Sequence, residues 1–217
     1  MKKAFFTVLM MSAAMYTFAQ TGVIRELSGE VELRHAGSAV FVPAVAGSAI
    51  AQDTIVSTGF RSSAIIDVGS STLTVRPLTR LSLAAITAAA GTETISVNLQ
   101  AGRVRVDVSP PAGTAANFTV QSTVATASVR GTSFEFHTRS IGVMEGLVHF
   151  NGVSGVPVLV HAGGESLAMP GGRAADPVQT LFQNLTPPAP AGTGESGEMM
   201  VSPILAPATG YIIIDIP

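Results

Sequence analysis

Hydrophobic and polar residues alternate one by one over most of the chain between residues 29 and 169. In residues 71–76, for example, Leu73 and Val75 are separated by threonines. Successive side chains of a strand point to opposite faces of a sheet, so a period of two is typical of strands that bury one face. The pattern predicts an all-β fold: a single domain of short strands at residues 20–175, either β-helix-like or sandwich-like.

The clearest alternation lies in residues 124–137, where two runs of strand-like sequence meet at an Arg-Gly corner. In the second run Thr132, Phe134 and Phe136 fall on one face, and three polar residues fall on the other. We predict that the face with the two aromatic rings is buried. Gly131 marks a sharp turn or the close approach of another strand.

Glycines separate most of the predicted strands. We expect Gly59, Gly69 and Gly102 to supply turn positions with positive φ. Gly146 precedes another alternating strand, at residues 147–150. Asp53 precedes a further strand, and we expect its carboxylate to cap the entering turn as an Asx turn does.

Two segments allow more than one interpretation. Residues 94–99 and 103–108 are predicted to form a hairpin joined by residues 100–102. Residues 84–91 are rich in alanine and end at a glycine, which limits any helix to about two turns. We favour a loop or the tip of a hairpin there.

Composition excludes several classes of protein. The 217 residues are 47% hydrophobic and 12% charged, which is too apolar for a disordered chain. A net charge of −2 offers no basic surface for nucleic acid. Cysteine is absent, which excludes disulfides, thiolate metal sites and a cysteine nucleophile.

The two ends of the chain differ from its middle. Lys2 and Lys3 precede a short apolar run, and Ala19 closes a stretch of small residues suited to a signal peptidase. We predict a signal peptide at residues 1–19, an uncleaved anchor being the alternative, and a periplasmic or secreted protein with no membrane span after cleavage. Residues 176–217 are predicted to be a Pro/Gly-rich linker followed by an Ile-rich strand at 211–216. That strand would extend the domain's own sheet or dock on a partner.

The candidate chemistry is sparse. His137, His149 and His161 recur every 12 residues, and with Glu135 and Glu145 they form a candidate metal site. Regular strand spacing produces the same coincidence, so we expect no metal and no cofactor. The chain lacks a Gly-x-Ser-x-Gly elbow and a Ser-x-x-Lys motif. We expect no catalytic residues and a protein that is not an enzyme.

Several motifs in a fixed order resemble one family. They are residues 29–33, 53–59, 62–73, 76–81, 99–104, 126–134, 143–148 and 162–165. Together they span about 140 residues and resemble the FecR domain, a β-rich periplasmic module of bacterial iron-siderophore signalling regulators and of many exported proteins. Within these motifs we expect Arg130 to lie across backbone carbonyls or to pair with Glu145.

The resemblance implies a binding or scaffold module that acts through protein contact in the cell envelope, with another envelope protein as its partner and a role in signalling. Family regulators carry a cytoplasmic sigma-factor-binding segment and a transmembrane helix before this domain. Here the domain follows the signal segment directly, so we do not expect direct sigma-factor control. The alternatives are a module that binds cell-wall polymer or polysaccharide, a carbohydrate-active enzyme and a metal sensor.

Overall fold

The computed structural model describes residues 21–89 and 91–177, in which the chain forms two sheets. Sheet A contains eight strands: β1 (Gly22–Ser28), β4 (Ala49–Ile50), β6 (Ser63–Val68), β7 (Ser71–Val75), β10 (Arg103–Val108), β13 (Ser133–His137), β14 (Ser140–Glu145) and β17 (Glu165–Leu167). Sheet B contains nine: β2 (Val31–Arg34), β3 (Val42–Pro43), β5 (Ile55–Thr58), β8 (Arg80–Ala89), β9 (Thr92–Ala101), β11 (Ala115–Gln121), β12 (Ala125–Val129), β15 (Leu147–Gly152) and β16 (Val158–His161). The all-β prediction is confirmed.

The strand order explains how the chain builds both sheets at once. Sheet A runs β17-β14-β13-β10-β7-β6-β1-β4, and sheet B runs β16-β15-β12-β11-β9-β8-β5-β2-β3. Neighbouring strands of the described region pair antiparallel, except β9 and β11, which are parallel. The chain therefore crosses repeatedly from one sheet to the other, and each crossing places a turn at an end of the sheets.

The core lies between the two sheets. Phe118, Phe134, Phe136 and Phe150 are fully buried. Phe136 of sheet A meets Phe150 of sheet B edge to face, with ring centroids 6.4 Å apart and an interplanar angle of 64°. The buried side chains of both sheets form one cluster, so the arrangement is sandwich-like.

The predicted hairpin of residues 94–99 and 103–108 is wrong. β9 belongs to sheet B and pairs with β8, whereas β10 belongs to sheet A and pairs with β7 and β13. The chain changes sheet at Gly102, which has a φ of 83°. Alternation identifies the buried face of a strand, but inward-facing residues look the same in either sheet.

Of the interpretations of residues 84–91, the structure supports the tip of a hairpin. Residues 84–89 continue β8, and Gly91 turns the chain into β9 with a φ of 77°. The strand therefore extends further than the alanine-rich sequence suggests.

The outer strands of both sheets are short. β3 and β4 have two residues each, β17 has three and β16 has four. Short edges offer few unpaired backbone groups to another chain.

The predicted signal segment and nearly all of the predicted tail lie outside the described residues. All the strands fall within one unit, and the predicted limits of the domains stay predictions. Over the described part of the chain, no helix is both long and apolar enough to cross a bilayer.

Candidate interaction surface

Three turns lie together where the chain crosses between the sheets. Residues 59–62 connect β5 to β6, residues 76–79 connect β7 to β8, and Gly102 connects β9 to β10. The Leu78 N–H donates to the Gly59 carbonyl at 3.2 Å, and the Arg76 N–H donates to the Arg103 carbonyl at 3.2 Å. Backbone hydrogen bonds therefore hold the three turns to one another.

Buried hydroxyl groups make this junction rigid. Thr58 Oγ1 donates to the Arg76 carbonyl at 2.6 Å and accepts from the Thr79 N–H at 3.0 Å. Thr79 Oγ1 in turn accepts from the Arg103 N–H at 3.1 Å and donates to the Arg103 carbonyl at 3.0 Å. Ser62 Oγ accepts from the Glu30 N–H at 2.8 Å. Each hydroxyl satisfies a backbone group that the turn would otherwise leave without a partner.

Gly59 corrects a sequence prediction, because its φ is not positive. A Cβ built on Gly59 would lie 3.2 Å from Glu30 Oε2 and 3.3 Å from Glu30 Cβ. The Gly59 N–H also donates to the Glu30 carbonyl at 2.9 Å. A side chain here would have to displace Glu30 by a few tenths of an ångström, so the glycine favours close approach rather than a left-handed backbone.

Two residues of this junction have a left-handed backbone conformation although they are not glycines. Arg61 has a φ of 56° and Leu78 a φ of 55°, a region that is costly for residues with a Cβ. Leu78 is 61% exposed, and Phe60, beside Arg61, is 72% exposed. Two large apolar side chains are thus displayed to solvent on adjacent turns.

Cations surround these apolar side chains. The Arg61 guanidinium carbon lies 5.5 Å from the centre of the Phe60 ring. Arg80 lines a cavity of about 420 Å³ together with Leu78, and its guanidinium carbon lies 5.5 Å from the Phe41 ring. We call Phe60, Arg61, Leu78 and Arg80 the turn patch.

The arginines of sheet A differ from those of the turn patch. Glu135 lies within 3.7 Å of Arg76 and Arg103, and Asp107 within 3.2 Å of Arg105. Within residues 21–89 and 91–177, by contrast, Arg61 and Arg80 form no ion pair with a carboxylate. The turn patch therefore combines apolar surface with uncompensated positive charge.

The predicted corner at residues 130–134 is confirmed in its packing. Thr132 and Phe134 are buried, and Gly131 turns the chain with a φ of 71°. Gly146 has a φ of 84° and lies against the Thr132 methyl group, where a Cβ on Gly146 would collide with it. These residues fix the corner between β12 and β13.

Arg130 corrects a second prediction. Its side chain is exposed, and its Nε donates to Asn117 Oδ1 at 2.9 Å. Across the described residues it pairs neither with Glu145 nor with a backbone carbonyl. Arg130 reaches Asn117 because β11 runs beside β12, a neighbour that the sequence does not reveal.

Asp53 and Gly69 shape two further turns. Asp53 has a φ of 62°, and its N–H donates to the Leu83 carbonyl at 2.7 Å. No hydrogen bond of the Asp53 carboxylate occurs in the described region, so its backbone conformation is what shapes the turn.

Gly69 has the predicted positive φ, 55°. Beside it Glu93 Oε2 accepts hydrogen bonds from the Ser70 N–H at 2.9 Å and from Ser70 Oγ at 2.7 Å, which links the two sheets.

The three regularly spaced histidines are not brought together. His137 lies on sheet A beside Glu135, whereas His149 and His161 lie on sheet B. The part of the chain that the structure describes contains no group of three or more histidine, aspartate or glutamate side chains able to hold a metal ion.

Sequence reasoning missed Phe60 and Leu78 as candidate site residues. The available signal was their placement: each large apolar residue follows a turn-forming residue, Gly59 or Pro77, and stands outside the alternating strands. A large apolar residue in a turn has no core position to fill.

Comparison with known proteins matches part of the chain to one family. The model of the family described as "FecR protein" matches residues 54–149, which include both turns of the patch. No curated protein matches the chain in sequence. Two crystal structures of a "putative anti-sigma factor" from Parabacteroides distasonis, at 1.65 and 2.50 Å, align with it at 13% identity and a TM-score of 0.45. The alignments cover 60% of this chain and 64% and 63% of theirs, which is less than two thirds of those chains. Residues 54–149 therefore match the FecR domain, the family that the ordered motifs predict.

Proposed function

We propose that this protein is an exported, non-enzymatic binding module of the cell envelope that acts in signalling by protein contact. The turn patch is its contact surface, and its partner is an envelope protein that presents acidic and apolar side chains together. The FecR domain supports the signalling role, and the uncompensated charge of Arg61 and Arg80 supports an acidic partner.

The observation that carries this proposal is the identity of the residues in left-handed conformation. Among the described residues, thirteen glycines have positive φ, but only Asp53, Arg61 and Leu78 do so with a side chain. Aspartate tolerates this conformation comparatively well. Arg61 and Leu78 each cost about 1 kcal/mol or more, and both belong to the turn patch. Glycine would remove that cost, so the side chains themselves must be useful.

Exposure and rigidity support the same function. Contact residues that dominate binding energies are large side chains held in place before the partner arrives. The buried hydroxyls of Thr58 and Thr79 fix the turn that carries Leu78, so little ordering is left to occur on binding. The edge strands, with two to four residues, offer a smaller surface for strand addition.

Site-specific crosslinking tests the contact surface. A photoreactive phenylalanine replaces Phe60 in the native envelope, and the same residue replaces Val156, which is 81% exposed and outside the turn patch. We expect a discrete crosslinked product from position 60 that is absent from position 156. The Leu78→Gly variant should reduce this product, and so should high salt. Equal products from both positions would contradict the assignment of the turn patch.

Export is tested separately by fractionation and N-terminal mass analysis. We expect the mature chain to begin at Gln20 and to be found in the periplasmic or secreted fraction. Full-length chain confined to the cytoplasm would contradict export. Turnover that persists through repeated purification would contradict a non-enzymatic role.

A further inference from the structure

A second feature lies on the outer face of sheet B, at the corner that contains Arg130. A groove of about 680 Å³ opens there, within the size range of small-molecule sites. Six of the residues that line it have exposed or half-buried side chains: Asn117, Thr119, Ser128, Arg130, Leu147 and His149. We call it the Arg130 groove.

The groove has a fixed cationic end. Asn117 Oδ1 accepts the hydrogen bond from Arg130 Nε at 2.9 Å, which orients the guanidinium. The two terminal nitrogens of Arg130 have no partner among residues 21–89 and 91–177. No carboxylate lines the groove. A guanidinium fork in this state is suited to a carboxylate, which it binds with two parallel hydrogen bonds.

The rest of the groove presents hydroxyl and imidazole groups in register. Thr119 pairs with Ser128 across β11 and β12, and Ser128 pairs with His149 across β12 and β15. The Thr119 and Ser128 hydroxyl oxygens lie 3.4 Å apart. This row lies two residues along the strands from Arg130, on the same face of the sheet. It can donate to and accept from a ligand with several hydroxyl groups.

We infer that the Arg130 groove binds a carboxylated saccharide of the uronic acid type. Arg130 takes the carboxylate, and the row of Thr119, Ser128 and His149 takes the ring hydroxyls. An acidic peptide is less suited, because its carboxylates would pair with Arg130 but would leave the hydroxyl and imidazole groups of Thr119, Ser128 and His149 without ring hydroxyls to bind. This inference is independent of the turn patch, which lies among different strands.

Titration calorimetry with two matched probes tests the inference. Trigalacturonic acid carries the carboxylates, and its fully methyl-esterified form has the same sugar rings without the charge. We expect saturable binding of the acid and at least tenfold weaker binding of the ester. Arg130→Gln should weaken binding of the acid at least tenfold, and Arg130→Lys should restore it only in part, since lysine lacks the planar fork.

The control is Arg139→Gln, which removes an exposed arginine that has no ion pair in the described region and does not line the groove. We expect this variant to bind the acid as the wild type does. The inference fails if the wild type does not bind the acid saturably, if acid and ester bind alike, or if the two glutamine variants behave alike. Tighter binding of a hexaglutamate peptide than of the acid would also overturn the saccharide assignment. Circular dichroism of each variant confirms that the fold is intact.

Discussion

Two buried threonines provide a direct test of the hydrogen-bond network beneath the turn patch. Thr58 and Thr132 are each 4% exposed. The Thr58 hydroxyl joins two backbone groups, whereas Thr132 Oγ1 is buried without a hydrogen-bond partner. Replacing either residue by valine preserves the shape of the side chain and removes only the hydroxyl.

The structure predicts opposite results for the two variants. In Thr58→Val the Arg76 carbonyl and the Thr79 N–H both lose their partner inside the protein. At about 1–3 kcal/mol for each of the two unsatisfied groups, we expect a loss of about 2–6 kcal/mol in the free energy of unfolding. In Thr132→Val a hydroxyl that is desolvated without compensation is removed. That variant should be unchanged or more stable by up to about 2 kcal/mol.

Equilibrium unfolding in urea measures both effects. The chain has no tryptophan and two tyrosines, so the β-sheet signal in far-ultraviolet circular dichroism is the suitable probe. With a slope of about 1–3 kcal/mol/M, Thr58→Val should lower the urea midpoint by on the order of 1 M. The reasoning is refuted if Thr58→Val stays within about 0.5 kcal/mol of the wild type, or if Thr132→Val costs as much as Thr58→Val.

Three further substitutions test the core, the link between the sheets and the turn patch by the same unfolding measurement. Phe136→Ala should cost about 3–5 kcal/mol, because this fully buried ring packs between the sheets; a loss below about 1 kcal/mol would contradict that packing. Gly69→Ala should destabilise the protein more than Gly37→Ala. Both have positive φ, but a Cβ on Gly69 would displace the Glu93 carboxylate and break its two hydrogen bonds to Ser70, whereas one on Gly37 would meet nothing within 4 Å; equal losses would contradict this. Leu78→Gly should leave stability unchanged or raise it by about 1 kcal/mol through relief of the left-handed backbone, and a clear loss would show that Leu78 supports the fold.

The inward and outward faces of the strands could be predicted from the sequence because one physical rule governs them. Phe134 and Phe136 are two positions apart in an alternating run, and a strand must then place both on the same face. The assignment of strands to sheets has no such local rule. Residues 94–99 and 103–108 have equally good strand patterns, yet the left-handed turn at Gly102 sends them into different sheets.

The candidate sites were harder to predict, because each depends on a neighbour that is distant in the sequence. Arg130 is oriented by Asn117, which lies on the adjacent strand of the completed sheet. Gly59 lies against Glu30, which is distant in the sequence, with a φ that is not positive, although a glycine in a turn equally suggests a positive φ. The left-handed backbone of Leu78 has no signature in its residue type at all, since leucine rarely adopts that conformation.

Within a few residues of the turn patch, some side chains are explained by folding and others are not. Thr58 and Thr79 are buried, and their hydroxyls complete the hydrogen bonding of the backbone, so their identity follows from folding. Leu78 stands next to Thr79, is mostly exposed, and holds a conformation that glycine would adopt without strain. Burial cannot explain its side chain, and neither can the turn. Strain that persists at an exposed position indicates selection for something outside the fold. This combination, an exposed apolar side chain beside arginines that form no ion pair within residues 21–89 and 91–177, is why the proposed function places the partner contact here.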